Sequence, residues 1–323
     1  MKVIRVAAPV VLLAVLLSPA LAMDDAVEGR FERTLQVSGP VTLNIETRSG
    51  NIVVTRSGDG AVQVVGRIRA RGMNAAERVQ QLESTPPIQQ TGNTIRIGKI
   101  EDETLRRKIS ISYELQVPAD TRLDAGTGSG DVIVEGILGP ANAATGSGNV
   151  RFSDIERAAE ATTGSGDILL DALDAGVRAT TGSGNISAKN LRGALNLNTG
   201  SGDVMVEQSA LGEVRVQTGS GNVHVSGVKG RLTAETGSGD LAIEGRPEEA
   251  WKLSAGSGNL HLKVGGGGYE LDAETSSGDI RVDAPITLQG ALNRRRVRGT
   301  VGGGGVLISA ETGSGDIVVE SAH

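Results

Sequence analysis

One short motif recurs along most of this chain: Ser-Gly, then Asp or Asn, then an apolar residue. It occurs eleven times, with its Asp or Asn at Asn51, Asp131, Asn149, Asp167, Asn185, Asp203, Asn222, Asp240, Asn259, Asp279 and Asp316. From Asp131 to Asp279 most copies are 18 or 19 residues apart. So short a period, repeated so often, predicts a solenoid whose coils stack on one another. The longer step to Asp316 predicts two periods, with one degenerate copy near Arg298-Gly299.

Two strands can be recognised in each period. Apolar residues alternate after the motif, as in Val132 and Val134, and again before it, as in Leu195 and Leu197, which is typical of half-buried strands. Thr-Gly-Ser-Gly makes the corner, because Gly adopts positive φ freely. We therefore predict an all-β, right-handed parallel β-solenoid with two strands per coil of ~18 residues and ~11 coils, roughly 50 Å long. A left-handed hexapeptide helix also fits this period, but it needs three similar corners per coil and one is evident.

The charges follow the same period. The motif residue alternates between Asp and Asn from Asp131 to Asp279, and an outward column lies four residues further on. This column contains Glu135, Ser153, Asp171, Lys189, Glu207, Ser226, Glu244, Lys263, Asp283 and Glu320. Alternation keeps like charges apart in stacked coils. It predicts Lys189 between Asp171 and Glu207, and Lys263 between Glu244 and Asp283. A duplicated two-coil unit would leave the same pattern.

The chain divides into three parts. Residues 1–22 resemble a secretory signal peptide, with Lys2 and Arg5 before an apolar stretch and Ala20-Leu21-Ala22 at its end. The apolar stretch is short for a membrane span. We therefore expect an exported protein in the periplasm, on the cell surface or outside the cell. Residues 23–120 form an N-terminal β-rich capping region and residues 121–323 form the repeat region.

The capping region has its own pattern. Strands are predicted at 41–45, 52–54, 62–68, 94–97 and 109–117. One short helix is predicted from Asn74 to Glu83, with Asn74 and Glu77 as a capping box and Pro86-Pro87 after its end. Because a solenoid exposes strand edges at its ends, we expect this region to cover one of them.

Composition limits the partners. The 323 residues carry a formal net charge of −6 and contain 2 Phe, 2 Tyr, 1 Trp and no Cys. An acidic chain with few aromatic residues is a poor match for nucleic acid, and the lack of Cys excludes disulfides and thiolate metal sites. The basic run Arg294-Arg295-Arg296 and Arg298 fits a solvated loop or a partner for the acidic column, and less well an anionic lipid or glycan.

No catalytic, cofactor-binding or metal-binding residue is assigned. His224 and His261 fall on an outward column two coils apart, too far for one metal ion to bridge, and His323 is terminal. A carbohydrate-active enzyme, a polysaccharide lyase or hydrolase on a β-helix, is the alternative function, although few aromatic residues are available to line a groove. A calcium ion that stabilises one end of the solenoid and an ice-binding face built on the repeated Thr are weaker alternatives.

The signal peptide, the isolated helix, Val117-Pro118 and the serial Thr-Gly-Ser-Gly-Asp/Asn corners together resemble a bacterial family. It is the exported "putative adhesin" family of unknown function, and the resemblance extends over about residues 30–323. It implies a non-enzymatic β-solenoid that acts in adhesion or as a cell-envelope interaction or scaffold protein. The implied partners are envelope or surface glycans or proteins; a membrane is at most a peripheral partner, and the resemblance fixes no oligomeric state.

Overall fold

Two long sheets face each other and enclose one core in the computed structural model, which describes residues 26–58, 60–208, 210–289 and 293–322. Sheet A has 14 strands and sheet B has 15. Each regular coil contributes one strand to each sheet, and equivalent strands pair in parallel. This confirms the predicted parallel β-solenoid. The predicted signal peptide at 1–22 and His323 lie outside the described residues.

The elements follow the chain in three groups. The N-terminal group is β1 (Val27–Gln36), β2 (Val41–Thr47), β3 (Ile52–Ser57), β4 (Ala61–Ala70), α1 (Ala75–Ser84), β5 (Ile88–Thr91), β6 (Thr94–Ile97), α2 (Glu103–Arg106) and β7 (Ile109–Pro118). The middle group is β8 (Thr121–Ser129), β9 (Val132–Glu135), β10 (Ala141–Ser147), β11 (Val150–Ile155), β12 (Ala159–Ser165), β13 (Ile168–Leu173), β14 (Val177–Ser183), β15 (Ile186–Leu191), β16 (Leu195–Ser201), β17 (Val204–Gln208), β18 (Val214–Ser220), β19 (Val223–Val228), β20 (Leu232–Ser238), β21 (Leu241–Gly245), β22 (Trp251–Ser257) and β23 (Leu260–Val264). The C-terminal group is β24 (Tyr269–Ser277), β25 (Ile280–Asp283), β26 (Ile286–Leu288), β27 (Arg296–Val301), β28 (Val306–Ser314) and β29 (Ile317–Ser321).

The N-terminal group contains the first coil and extends both sheets beyond it. Strands β2 and β3 form that coil, and β8 and β9 stack directly on it although residues 58–120 intervene. In sheet A, β7 lies beside β3, and β4 and β1 follow as antiparallel neighbours; in sheet B the β5–β6 hairpin lies beside β2. Helix α1 packs on β1 and β4. The division between domains at residue 120 stays a prediction.

The helix prediction was correct in place and wrong in its capping. Helix α1 spans Ala75–Ser84, but Asn74 has φ 56° and ψ 27°, and its side chain makes no capping hydrogen bond. An N-cap side chain reaches the helix amides from the extended region of φ and ψ, so this left-handed residue cannot form the predicted capping box. The predicted strands are all present. Strands β1 and β5 and the four-residue helix α2 were not predicted.

A ladder of side chains runs through the corners. Each motif Asp or Asn except Asp279, the last in the stack, accepts through Oδ1 a hydrogen bond from the backbone N–H of the motif residue in the next coil, at 2.7–3.0 Å. At the N-terminal end the N–H of Asn51 donates to Oγ of Ser112, 3.1 Å away. Ser112 therefore supplies the acceptor that the other coils receive from the motif residue of the preceding coil.

The corner threonines form a second ladder inside the first. Thr199, for example, is 1% exposed and its Oγ1 donates to the carbonyl oxygen of Gly184 at 2.9 Å. Gly202 has φ 153°, and a Cβ there would lie 2.0 Å from the same oxygen, so only glycine fits. Because the threonines are buried, they do not form the outward lattice that an ice-binding face requires.

The C-terminal group breaks the order of the chain. Strand β28 lies between β22 and β24, and β29 lies between β23 and β25. The last coil is thus inserted between two coils that are consecutive in sequence. The predicted degenerate copy near Arg298-Gly299 was wrong: β26 and β27 form an antiparallel extension of sheet B instead. Lys263 consequently lies between Glu244 and Glu320, and not beside Asp283.

Residues of the basic run form ion pairs and a backbone hydrogen bond at the C-terminal end of the stack. Arg296 and Arg298 form ion pairs with Asp272, and Arg296 also lies 3.3 Å from Glu274. The carbonyl oxygen of Arg294 accepts a hydrogen bond from the N–H of Ile280 at 3.1 Å. The predicted pairing with the acidic column was therefore wrong for Arg296 and Arg298, because their ion-pair partners belong to strand β24 of sheet B and not to the outward column of sheet A.

Candidate functional site

A groove runs along the outer face of sheet B. It crosses β2, β8, β10, β12, β14, β16 and β18 and has a volume of about 690 Å³. Neighbouring strands lie ~4.8 Å apart, so the groove is roughly 29 Å long and runs parallel to the stacking axis. Because the groove runs along the stack, the residues that line it come from equivalent positions in successive coils.

The floor of the groove consists of small residues. Pro140, Ala158, Gly176 and Ala194 each immediately precede a sheet B strand and occupy equivalent places in four successive coils. The equivalent place in the flanking coils holds Arg122 at one end and Glu213 at the other. The groove therefore exists because four consecutive coils have little side chain at this position.

One wall is a column of outward polar side chains, one from each strand. In order these are Asn44, Asp124, Asn142, Glu160, Arg178, Asn196 and Arg215. Nδ2 of Asn142 donates to Oδ1 of Asp124 at 3.0 Å, and Arg215 lies 3.6 Å from Glu213. Including Arg122 and Glu213, acids and bases are equal in number along the groove. It thus offers donors and acceptors at the coil spacing with no net charge.

The sequence predicted no site here, although a signal was present. Small residues recur before the strand at positions 140, 158, 176 and 194, in step with the repeat. A search of the sequence for aromatic residues or paired carboxylates does not find this groove. The groove is formed by small residues at one repeated position, and not by a characteristic functional side chain.

The two candidate histidines lie where the sequence placed them. His224 and His261 project outward from sheet A with Ala242 between them. Nε2 of His261 lies 3.1 Å from Oε2 of Glu320. Within the described residues, no group of three or more His, Asp or Glu side chains is arranged to hold a metal ion.

The outward column of sheet A is in register as predicted through the middle of the stack. Lys189 pairs with Asp171 on one side and Glu207 on the other. The neighbouring column contains Leu169, Ser187 and Met205, of which the two apolar residues are exposed. This face is therefore solvated and mixed in charge.

Comparison with known proteins gives one family. Residues 175–320 match the family described as Toastrack DUF4097. The match covers less of the chain than the sequence resemblance, which extended over about residues 30–323. None of the curated proteins matches the chain.

Several solved structures share low similarity with the chain. A "putative lipid binding protein" from Parabacteroides distasonis ATCC 8503 is 15% identical, with a TM-score of 0.37, over 90% of this chain and 96% of that one. A "putative adhesin" from Bacteroides fragilis NCTC 9343 is 14% identical, with a TM-score of 0.28, over 91% and 97%. A "putative cell adhesion protein" from Clostridium sporogenes ATCC 15579 is 10% identical, with a TM-score of 0.21, over 92% and 100%.

Among the described residues, no helix has both the length and the apolar character needed to cross a membrane.

Proposed function

We propose that this protein is a non-enzymatic, exported binding protein of the cell envelope, and that the sheet B groove holds an extended, uncharged, hydroxyl-rich chain such as a surface glycan. The observation that carries the proposal is the groove itself: a floor of small residues beside a column of donors and acceptors, with no net charge. The signal-peptide pattern of residues 1–22 and the resemblance of the repeats to an exported bacterial family support an envelope location.

The chemistry of the wall favours hydroxyl groups as ligands. Carboxylate, amide and guanidinium groups together donate to and accept from hydroxyls, and such contacts repeat along the groove at ~4.8 Å. An anionic polymer would meet Asp124, Glu160 and Glu213 as well as the arginines. A neutral polymer meets no such repulsion.

A substitution that fills the floor tests the proposal. Ala158→Arg places a long side chain in the middle of the groove, and Ala250→Arg makes the same change at the equivalent exposed position before β22, outside the groove. The mature protein and both variants are measured for binding to immobilised neutral envelope polysaccharides. We expect the parent and Ala250→Arg to bind equally, and Ala158→Arg to lose at least tenfold in affinity.

Two results would overturn the proposal. Equal binding by both variants would show that the groove is not the binding surface. Cleavage of the polysaccharide by the parent protein would replace the binding function with the alternative, a carbohydrate-active enzyme.

A further inference from the structure

The last coil of the solenoid, β28 and β29, occupies a slot between two coils that follow each other directly in sequence. We call residues 306–321 the inserted coil. The coil before the slot is 251–264 and the coil after it is 269–283. All three carry the same corner motif, so the inserted coil and the coil 269–283 present the same bonding groups to the coil 251–264.

The bonds on the first side of the slot show this equivalence. Thr312 Oγ1 donates to the carbonyl oxygen of Gly258, and the N–H of Asp316 donates to Oδ1 of Asn259, both at 2.9 Å. Thr275 and Asp279 have the same four-residue spacing as Thr312 and Asp316. Two segments of this chain therefore carry the groups that fit one set of acceptors.

The second side of the slot, which we call the joint, brings acidic side chains together. Across it Glu311 lies opposite Glu274, and Glu320 lies opposite Asp283. The N–H of Asp279 donates to Oδ1 of Asp316, which places two aspartates in consecutive coils. Among the paired positions of the described strands, acidic residues face each other only here. Arg296 lies near Glu274 and Arg281 near Asp283, so these two arginines neutralise the joint in part.

Direct stacking of the coil 269–283 on the coil 251–264 would remove these repulsions. Ser254 would then face Glu274, Asn259 would precede Asp279, and Lys263 would face Asp283, which is the charge alternation of the rest of the stack. The slot can thus close behind a departing inserted coil without leaving a face bare. Opening the slot therefore costs one of the two interfaces of the inserted coil and not both.

The connections allow this movement. Gly265–Gly268 precedes the coil 269–283, and Gly302–Gly305 precedes the inserted coil. Gly302 and Gly304 have φ of 62° and 76°, and a Cβ on Gly303 would meet nothing within 4 Å. The connection to the inserted coil lies against Gly268, but it consists of glycines, whose wide choice of φ and ψ allows it to change course when the coil moves.

From these features we propose that the inserted coil is exchangeable, and that the slot of one molecule accepts residues 306–321 of a second copy of this chain. Every bond that holds the inserted coil is made to a neighbouring coil, so a coil supplied by another molecule makes the same bonds. Exchange of an identical element between copies is a low-cost route to a dimer.

Engineered thiols test the exchange, since the chain contains no Cys. Ser257 and Ser314 are exposed register partners in adjacent strands, at a separation that suits a disulfide. Equal amounts of Ser257→Cys and Ser314→Cys full-length mature chains are mixed, incubated and oxidised. A disulfide-linked heterodimer is expected. The matched control is a mixture of Ser201→Cys and Ser220→Cys, register partners within the regular coils, which should give at least tenfold less heterodimer.

A double variant and a charge variant complete the test. Ser257→Cys with Ser314→Cys in one chain should form an intramolecular disulfide, which shows that the thiols react. Asp279→Asn removes one like-charge contact and should slow exchange, whereas Asp240→Asn in the regular coils should not. The proposal is overturned if the mixture gives no more heterodimer than the control while the double variant oxidises fully.

Discussion

The two ends of the solenoid are finished in different ways. At the N-terminal end the antiparallel strands β7, β4 and β1 extend sheet A, helix α1 packs on them, and Phe31 and Ile68 are 2% exposed. At the C-terminal end sheet A stops at the four-residue strand β25, where Ile280 and Val282 are only half-buried. The first end extends the common core with a helix and three further strands, whereas the second ends in apolar side chains that are only half-buried. Stability should therefore fall from the first end to the second.

The largest expected difference comes from truncating one apolar side chain at each end. Phe31 packs edge-on to Tyr113, with ring centroids 6.3 Å apart, and a Cβ on Gly66 would already touch its ring. Phe31→Ala should lower the free energy of unfolding by about 3–5 kcal/mol. Ile280→Ala should lower it by less than about 1 kcal/mol, because its side chain is half exposed. Chemical denaturation of both variants measures the difference, and equal losses would contradict the comparison.

In the regular coils between the ends, close backbone contacts limit which residues fit at the corners. Gly202→Val places a branched side chain at φ 153° and 2.0 Å from a backbone oxygen, and should destabilise by about 3 kcal/mol. Gly126→Val is the control, since its Cβ would meet only the carbonyl oxygen of Ile45 at 3.9 Å. Thermal unfolding of both variants is the measurement. An unchanged midpoint for Gly202→Val would show that the corner tolerates a side chain.

These corners could be predicted from sequence, because the motif itself dictates them. The positive φ of Gly202 and the pairing of Lys189 with Asp171 and Glu207 follow from local residue types and from the period. The order of the last coils could not be predicted. Since every coil presents the same register, the motif cannot specify which coil stacks on which, and Lys263 was assigned the wrong neighbour.

The threonine ladder predicts one substitution that lowers the free energy of unfolding and one that raises it. Thr199→Ala leaves the carbonyl oxygen of Gly184 without its side-chain donor and should cost about 1–2 kcal/mol. Ala255 occupies the equivalent buried position next to the C-terminal end, so Ala255→Thr should add about 0.5–1 kcal/mol by supplying the missing donor to Gly239. Denaturation midpoints that move in the same direction for both variants would contradict the ladder.

Each end also contains one buried tyrosine whose hydroxyl has no hydrogen-bond partner, Tyr113 and Tyr269. Burial raises the pKa of both above the ordinary value of 10.0. The unfolded chain therefore releases these protons first, so the stability they contribute is complete below about pH 10 and is lost as the pH rises above it. Tyr113→Phe should stabilise by about 1 kcal/mol at pH 7 and reduce the loss between pH 9 and 11. Unfolding curves across this range test it, with Tyr269→Phe as the companion, and an unchanged pH dependence would contradict the assignment.

The smallest effect lies on the solvated face of sheet A. Lys189→Glu places three acids in consecutive coils and should cost about 0.5–1 kcal/mol at low salt, and less as salt screens the charges. Ser187→Glu is the control, because its neighbours Leu169 and Met205 are uncharged. Unfolding midpoints at two salt concentrations separate the variants. Equal, salt-independent shifts would mean that the column does not act through charge.

The corner ladder also gives the rod a direction. Every side-chain bond of this ladder runs from a backbone N–H of one coil to a side-chain oxygen of the coil before it in the stack. The first coil therefore has an N–H that requires an acceptor, and the last coil has an oxygen that can accept a hydrogen bond. Ser112 meets the requirement at the first end with a residue of the same chain. A second rod therefore finds no unsatisfied donor of the ladder there, and molecules cannot polymerise head to tail through this ladder into a fibre. A single hydroxyl thus helps to keep a protein made of self-similar strands at a defined length.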